Sequence, residues 1–592
     1  MNKLTVSIII AATLAAGIGA YFIFQKPAFS EPQIGRCGDG ICDEKEKANP
    51  NLCPKDCGFL IGSERCGAEN NGYCIDWKEK CKEGYEGIGP DKCRRGRSAQ
   101  CCMPATPSEP KTEPETNKKC SELKGNVCSS SQTCSGSWLS ASDTDKCCSG
   151  ECKTSSTPPP PPTSSFSPFG IMAAFDASTL TSISASDKIA WAGEKFRDIG
   201  AKWSKEHVIW GLIEPEFGQG YDWSESDEAF KRVYQNGGEN FNIVVVVIPQ
   251  RVRGGSSDIP LDKENYFSNF VETLVERYDG DGIADYDPII KVRYWQMANE
   301  PFPRHWEEAG GTIDGYVRFA ELTYKAIKKS DSDAKIILGT FQLETTEQVN
   351  KFKEVIPKMK NKNLFDYVDT HYWNSRSNYK IPVGEARSVL DSNGYLNATM
   401  VALEFGTWAE MSGRGTEKDQ ANYLIKGYAY NIAHGFALIN WNNLVEWNNF
   451  GGKPKSIYNF MGLIADGLNG DPVPAGTKRI SYYTYKKMVE ILEGSDWGNI
   501  QTIQESNGIY IYKFTNQGKP IWVAWNDNSL EKQITISDIA SSQVKITEAV
   551  PKYESGQEVT DYSTVFETET KTVQNNKISI TLGDVPVFVE EK

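Results

Sequence analysis

Two glutamates stand out by the company they keep. Trp295-Gln-Met-Ala-Asn299-Glu300-Pro301 is an uncharged run that stops at a carboxylate followed by proline, and Val401-Ala-Leu-Glu404-Phe-Gly is a second such run. Hydrolysis of a glycosidic bond near neutral pH needs this kind of pair. One carboxylic acid protonates the leaving oxygen, and a second carboxylate attacks the anomeric carbon or activates water. Taken singly, either residue reads as a solvated strand end. Their context is less ordinary: Glu404 closes a segment that should be buried, where an unpaired carboxylate is costly unless it has a task or a partner. Pro301 ends the strand behind Glu300 and turns the chain.

Both residues must be carried by elements that converge. From residue 170 onward, short apolar runs alternate with amphipathic stretches, the pattern of a parallel sheet with helical crossovers. The spacing predicts eight strands, at 170–175, 201–205, 242–248, 291–298, 335–339, 367–372, 400–405 and 437–441. Helix starts are signalled by Asp222-Trp-Ser-Glu and Thr416-Glu-Lys-Asp, and Phe319, Leu322, Ala326 and Ile327 have helical spacing. Eight such units fit a closed (β/α)8 TIM barrel, whose strand ends meet at one mouth; a doubly wound open sheet would show the same alternation. After a last helix at 481–492 come alternating segments at 508–514, 520–525, 533–536, 543–547 and 577–582, which read as a C-terminal β-sandwich.

Asn299-Glu300-Pro301 resembles the fourth-strand signature of the clan of retaining (β/α)8 glycoside hydrolases that includes cellulases, mannanases and β-xylosidases. The resemblance covers most of residues 170–492, and Glu404 falls where that clan has its seventh-strand nucleophile. The trailing sandwich, Glu214-Pro215 and Tyr221-Asp-Trp223-Ser look most like the β-xylosidases and related families. By resemblance Glu300 is the acid/base, Glu404 the nucleophile, and Asn299 a contact to the substrate 2-hydroxyl. His371 and Tyr372 resemble the sixth-strand pair beside the nucleophile, with the Tyr hydroxyl holding Glu404 ionised and aimed; ordinary strand-end packing is the other reading. Trp441 matches an aromatic platform under the cleaved sugar, and Trp210, Trp373, Trp408 and Trp447 are further wall candidates, at least two of which should be plain core. The chain departs from the clan at the second strand, which reads Trp203-Ser204-Lys205 where many members have Arg. Lysine supplies charge without the bidentate fork.

Asp279-Gly-Asp281-Gly-Ile283-Ala-Asp285 puts carboxylates at alternate positions with glycines for a sharp turn. Structural calcium is one reading and a solvated acidic turn the other; the later bidentate Glu of an EF-hand is absent. No cofactor is expected for the catalysis. Asn397-Ala-Thr399 fits an N-glycosylation acceptor.

The chain has 592 residues, too many for one core, so several domains are expected. Lys and Arg number 64 against 78 Asp and Glu, a net charge of -14 that argues against nucleic acid as a partner. The 15 Trp suit flat apolar faces such as sugar rings. Residues 4–24 carry no charge and at helical rise would span roughly 30 Å, enough for a bilayer core. They read as an uncleaved signal anchor or, if a weak small-residue site at 17–20 is used, as a cleaved signal peptide. Either reading makes the chain extracellular, held to the membrane by its N-terminal helix in the first case and secreted in the second.

All 16 Cys lie between Cys37 and Cys152. Behind an export signal they read as disulfides of small modules that cannot build sufficient cores, with zinc disfavoured because closely spaced hooks such as Cys53-x3-Cys57 are few and no His precedes His207. Cys37 to Cys57 resembles the short Cys-Gly-Asp-Gly-x-Cys repeats of secreted microbial and Notch-like proteins. Cys66-x7-Cys74-x6-Cys81 is echoed by Cys120-x7-Cys128-x5-Cys134, and each set leads to an adjacent pair, Cys101-Cys102 and Cys147-Cys148, as in a duplicated unit.

The expected organisation is therefore a signal segment (1–30), Cys-rich modules (31–60, 61–104 and 120–152), linkers (105–119 and a proline-rich 153–165), a barrel (166–492) and a sandwich (493–592). The expected function is retaining hydrolysis of a β-linked glycan. A non-catalytic surface glycan-binding or adhesion protein is the alternative, and transglycosylation by the same carboxylates is a third. Inversion stays open until the carboxylate spacing is known.

Overall fold

The computed structural model describes residues 166–592 except 181–182, 185–186, 251–257, 303, 374–377, 410–415, 448–456, 469–472, 554–555 and 558. Before residue 166 it describes 73–76, 85–87, 99–104, 119–127, 132–134, 138–139 and 147–154. The signal segment and the first Cys-rich module lie outside the described residues. Among those described, no helix is long and apolar enough to cross a membrane. The described residues before 155 fall in one compact unit and those from 166 onward in another.

In the first unit, Ala99–Pro104 is the middle strand of an antiparallel sheet, between Tyr73–Asp76 and Tyr85–Gly87. Cys147–Cys148 is likewise the middle strand between Asn126–Val127 and Trp138–Leu139. Each adjacent cysteine pair thus occupies a central strand, in line with the duplicated spacing. A disulfide joins Cys120 to Cys147.

In the second unit eight parallel strands close into a barrel in chain order: β1 (Phe169–Met172), β2 (Trp203–Ile209), β3 (Asn242–Ile248), β4 (Tyr294–Met297), β5 (Lys335–Leu338), β6 (Tyr367–Tyr372), β7 (Thr399–Phe405) and β8 (Phe436–Asn442). The open-sheet alternative is excluded. Each strand is followed by a helix: α1 (Lys188–Asp198), α2 (Ser224–Gly237), α3 (Glu264–Tyr278), α4 (Ile313–Ser330), α5 (Thr346–Lys358), α6 (Gly384–Ser392), α7 (Glu417–Ala433) and α8 (Ile480–Leu492). Residue parity separates the two faces of each strand. Phe169 and Ile171 pack toward the helices, whereas Trp203, Val244, Ile337, Tyr367, Val401 and Leu403 fill the barrel floor. Phe166 plugs that floor, its ring 4.6 Å from Trp203 and 5.7 Å from Tyr294. β2 runs four residues past its expected end at Lys205, paired with β3 as far as Ile209, so the charged Lys-Glu-His run is strand and not exit loop.

Beyond α8 the chain forms β9 (Gln501–Ser506), β10 (Ile509–Asn516), β11 (Lys519–Asn526), β12 (Lys532–Ser537), β13 (Gln543–Glu548), β14 (Thr568–Thr572), β15 (Lys577–Leu582) and β16 (Val587–Glu591). Six make one sheet in the order β9-β10-β11-β16-β13-β14, and β12 pairs with β15 in a second. Ile509, Ile511, Trp522, Ile534, Ile578 and Val589 belong to the core they share. Tyr512, Phe514, Val523 and Trp525 turn the other way and join the barrel's core.

Candidate active site

Both glutamates reach the C-terminal mouth of the barrel, and each needs a departure from regular strand to do so. After β4 the backbone enters the left-handed region at Ala298 (φ 61°) and again at Glu300 (φ 41°). Non-glycine residues rarely adopt that region, and two in three positions mark a turn held by its surroundings. In β7, Val401 and Leu403 face inward, so simple alternation would send Glu404 out. A bulge intervenes: Asp369 pairs with Val401 and His371 with Glu404, so β7 has one residue more than β6 over this stretch. An extra residue re-aims the side chain that follows it, and here it turns Glu404 into the barrel. Leu403 N–H donates to Asp369 Oδ1 at 2.8 Å.

His371 lies between the two glutamates. Its Nδ1 is 2.9 Å from Glu300 Oε1 and 3.5 Å from Glu404 Oε2. One oxygen of each glutamate and a nitrogen of His371 lie within 4.8 Å of one another. Lys205 donates from Nζ to Glu404 Oε1 at 2.8 Å and to Asn299 Oδ1 at 2.9 Å. Its side chain is fully buried, so Glu404 is paired with a cation in a water-poor environment. Glu300 Oε1 accepts from Gln342 Nε2 at 3.1 Å, and Oε2 has Arg304 at 3.4 Å and His305 at 3.6 Å.

The charges respond to one another. Burial pushes the Glu300 carboxyl up, but the hydrogen bond and charge of His371, aided by His305 and Arg304, outweigh it and hold Glu300 below the usual carboxylate range. Burial pulls His371 down and Lys205 adds to this, yet Glu404 and Asp369 raise it to about 9. His207, in contrast, is pushed down to about 3 by burial and by Lys205, and so stays neutral.

Not every expected residue joins the site. Tyr372 succeeds His371 in a strand and therefore takes the opposite face; it packs in the outer core with Tyr423 of α7, and the group that holds Glu404 is Lys205. Trp441 is also turned outward. It is fully buried against Phe405 and Tyr423, with Nε1 donating to Met461 O, so its face is not open to a sugar. Trp210 is buried among Phe217, Phe267 and Phe270, and its Nε1 donates to Glu214 Oε2, making it packing between β2 and α3. Trp373 does border the site, its ring 5.0 Å from that of His371. Trp408 is half-buried just beyond β7, and Trp447 is buried.

Four site residues went unread in the sequence. His207 follows Lys205 on the same face of β2. Asp369 precedes His371 on the same face of β6. Thr340 and Gln296 close a hydrogen-bonded ring around Asp369. The signal was alternation: once Lys205 and His371 face inward, residues two positions away must do so too. Asp279, Asp281 and Asp285 converge in the loop between α3 and β4, at the opposite end of the barrel. Burial, together with Asp281 and Asp285, pushes Asp279 up to about 6 despite a hydrogen bond from Asp281 N–H. Several carboxylate oxygens there already accept backbone N–H groups of Gly280, Gly282 and Ile283.

Several solved structures resemble the chain to different degrees. A family 39 glycoside hydrolase from the gut symbiont Bacteroides cellulosilyticus WH2 superposes with a TM-score of 0.52 at 14% identity, covering 72% of this chain and 81% of that one. A conserved exported protein from Bacteroides fragilis gives 0.49 at 12% identity over 72% and 98% of the two chains. A GH30 endoxylanase from Clostridium papyrosolvens C71 gives 0.44 at 11% over 73% and 98%. At 14% identity the likeness to the family 39 structure concerns the fold alone. No family model matches the chain, and no curated protein matches it in sequence.

Proposed function

We propose that this chain is a retaining glycoside hydrolase acting on a β-linked poly- or oligosaccharide. The observation that carries the reading is that one carboxylate oxygen of Glu300 and one of Glu404 lie within 4.8 Å of each other at the barrel mouth, an approach that leaves little room for an intervening water. Retaining enzymes keep their carboxyl groups about 5–5.5 Å apart, whereas inverting ones leave roughly 6.5–9.5 Å for a water. Glu404, aimed and neutralised by Lys205, attacks the anomeric carbon while Glu300 protonates the departing oxygen. Glu300 then takes a proton from water, which hydrolyses the glycosyl ester on Glu404. In this reading Asn299, which accepts from Lys205, contacts the substrate's 2-hydroxyl, and Trp373 and Trp408 are walls.

Incubation of the full chain with aryl β-glycosides and with xylans, mannans, glucans and galactans tests the reading. Hydrolysis of at least one, lost in Glu404→Ala, supports it. Retention of a glycan with no turnover of any would instead make the chain a binding protein.

Two further parts of the proposal concern the rest of the chain. Residues 4–24 export it and tether it to a membrane, with the Cys-rich modules as spacer; fractionation of cells expressing the full chain would locate it in membranes, and recovery in the cytosol would refute this. The Asp279–Asp281–Asp285 loop offers hard oxygen donors suited to calcium, although part of their hydrogen-bonding capacity is already taken by the backbone. Calcium should then raise the thermal midpoint above that in EGTA; equal midpoints would leave the loop a hydrogen-bonded turn.

A further inference from the structure

Asp369 has no part in the double displacement, yet it is fully buried in the barrel directly beneath His371. Its carboxylate is saturated with donors. Oδ1 accepts from Leu403 N–H at 2.8 Å, and Oδ2 accepts from Thr340 Oγ1 at 2.6 Å and Gln296 Nε2 at 3.0 Å. His371 Nε2 is 3.1 Å from the same Oδ2. An anion meeting a bare ring nitrogen would repel it, so Nε2 carries a hydrogen and donates it to Asp369. Lys205 Nζ is 3.3 Å from Nε2 and sends two of its three hydrogens to Glu404 and Asn299; Thr340 Oγ1, 3.1 Å from Nε2, gives its own hydrogen to Asp369 and so can only accept there, and Asp369 Oδ2 at 3.1 Å is a closer partner than the lysine and an anionic one. With Nε2 committed downward, the ring's other nitrogen faces Glu300 at 2.9 Å. One proton therefore lies between Nδ1 and Glu300.

We propose that Asp369 and His371 form a buried dyad that holds the proton Glu300 delivers to the leaving oxygen, with Asp369 as a positioning residue. This rests on the retaining reading above. In the empty pocket the pair is imidazolium and carboxylate. When sugar binds, the Nδ1–H bond breaks as a Glu300 O–H bond forms, and that O–H breaks as the glycosidic oxygen takes the proton. In the second half-reaction Glu300 receives a proton from the attacking water and returns it to Nδ1, restoring the starting state. No proton is gained or lost beyond those of the hydrolysis.

The groups facing the ring agree with this. Glu300, Glu404 and Asp369 favour its cation, Lys205 and burial oppose it, and the neighbouring His207 is neutral. The balance holds His371 up at about 9, and His371 in turn keeps Asp369 below the usual carboxylate range despite its burial. The alkaline limb of kcat/KM should therefore report the loss of this one proton, above the pH at which a free histidine titrates.

Two measurements decide the matter. The chain has four histidines, so selective 15N-histidine labelling of the full protein, with His371→Gln for assignment, follows His371 directly. The expected result is a ring protonated on both nitrogens at pH 7. A neutral ring at pH 7 overturns the proposal, and this needs no known substrate. Asp369→Asn removes the charge while keeping the shape. It should lower both the His371 titration and the alkaline limb by about one pH unit or more. The rate above the limb should then fall about tenfold more than the rate below it. An equal loss at every pH with an unmoved limb would make Asp369 a support for the β7 bulge only. If no glycoside is hydrolysed by the wild type, the hydrolase reading fails, and the 15N titration still decides whether the dyad holds a proton.

Discussion

Lys205 makes two contacts that an arginine fork would have made differently: one hydrogen to Glu404 Oε1 and one to Asn299 Oδ1, from a fully buried ammonium. Lys205→Met leaves the Glu404 carboxylate buried without its cation, a change that costs on the order of 3 kcal/mol. A fall in thermal midpoint together with a loss of kcat is expected; unchanged kinetics in a folded variant would show that Lys205 is packing. At this scale the sequence was partly readable. Glu300 and Glu404 could be found because a carboxylate at the end of a buried strand is expensive. Their neighbours were harder, because side-chain direction in a strand depends on parity. His371 and Tyr372 could not both point into the barrel, and Trp441 proved to be on the outward face of β8. Asp369 was missed for the complementary reason: its role appears only once His371 is known to face inward.

The bulge in β7 is the element on which the site turns, and α7 packs directly behind it. Gly427 of α7 lies against Phe405, the residue after Glu404, and a Cβ at 427 would stand 2.3 Å from Phe405 Cζ. Gly427→Ala must therefore displace that ring, at a cost of about 1–3 kcal/mol. Because Phe405 adjoins Glu404, kcat should drop as well. Thr416→Ala provides the contrast, since Thr416 and Asp419 cap the start of the same helix reciprocally. Its loss costs about 1 kcal/mol and should lower the thermal midpoint while sparing kcat at low temperature. Equal effects of the two variants on kcat would separate α7 packing from the aim of Glu404. The Thr416 cap was legible as a motif, whereas Asp222 stabilises the start of α2 from one position further out, accepting from Ser224 N–H and Oγ–H. The bulge left no trace in the residue types, because it depends on the register of two strands distant in sequence. β9 and β14, edge strands of the six-stranded sheet with mostly exposed faces, lacked the alternation that revealed β10, β11 and β13, and the inner strand β16 was missed as well, because Val587-Phe-Val is a continuous apolar run.

Taken as one body, residues 166–592 join barrel and sandwich through an interface that is both aromatic and charged. Tyr379 donates to Asp527 Oδ2 and accepts from Trp525 Nε1, the Lys380 ammonium sits over the Tyr510 ring, and Lys426 pairs with Asp527 and Asp584. Deeper in, Arg479 bridges Glu417 and Glu446, all three buried, and Gly556 N–H reaches the same Glu417. Such an interface should make the two parts unfold together, as a single calorimetric transition; two separated transitions would contradict it. The architecture was legible at this scale because alternating βα units followed by a run of strands leave few arrangements. The interface was not, since Tyr379 and Trp525 reveal their pairing only in three dimensions. Every part of this assembly bears on one claim, that Glu300 and Glu404 act on opposite sides of a single anomeric carbon. Proton NMR of the first sugar released from a hydrolysed aryl β-glycoside tests it most directly: the account predicts that the β-anomer forms first and that Glu404→Ala releases none, whereas an α-anomer formed first, or a variant as active as the wild type, would contradict it.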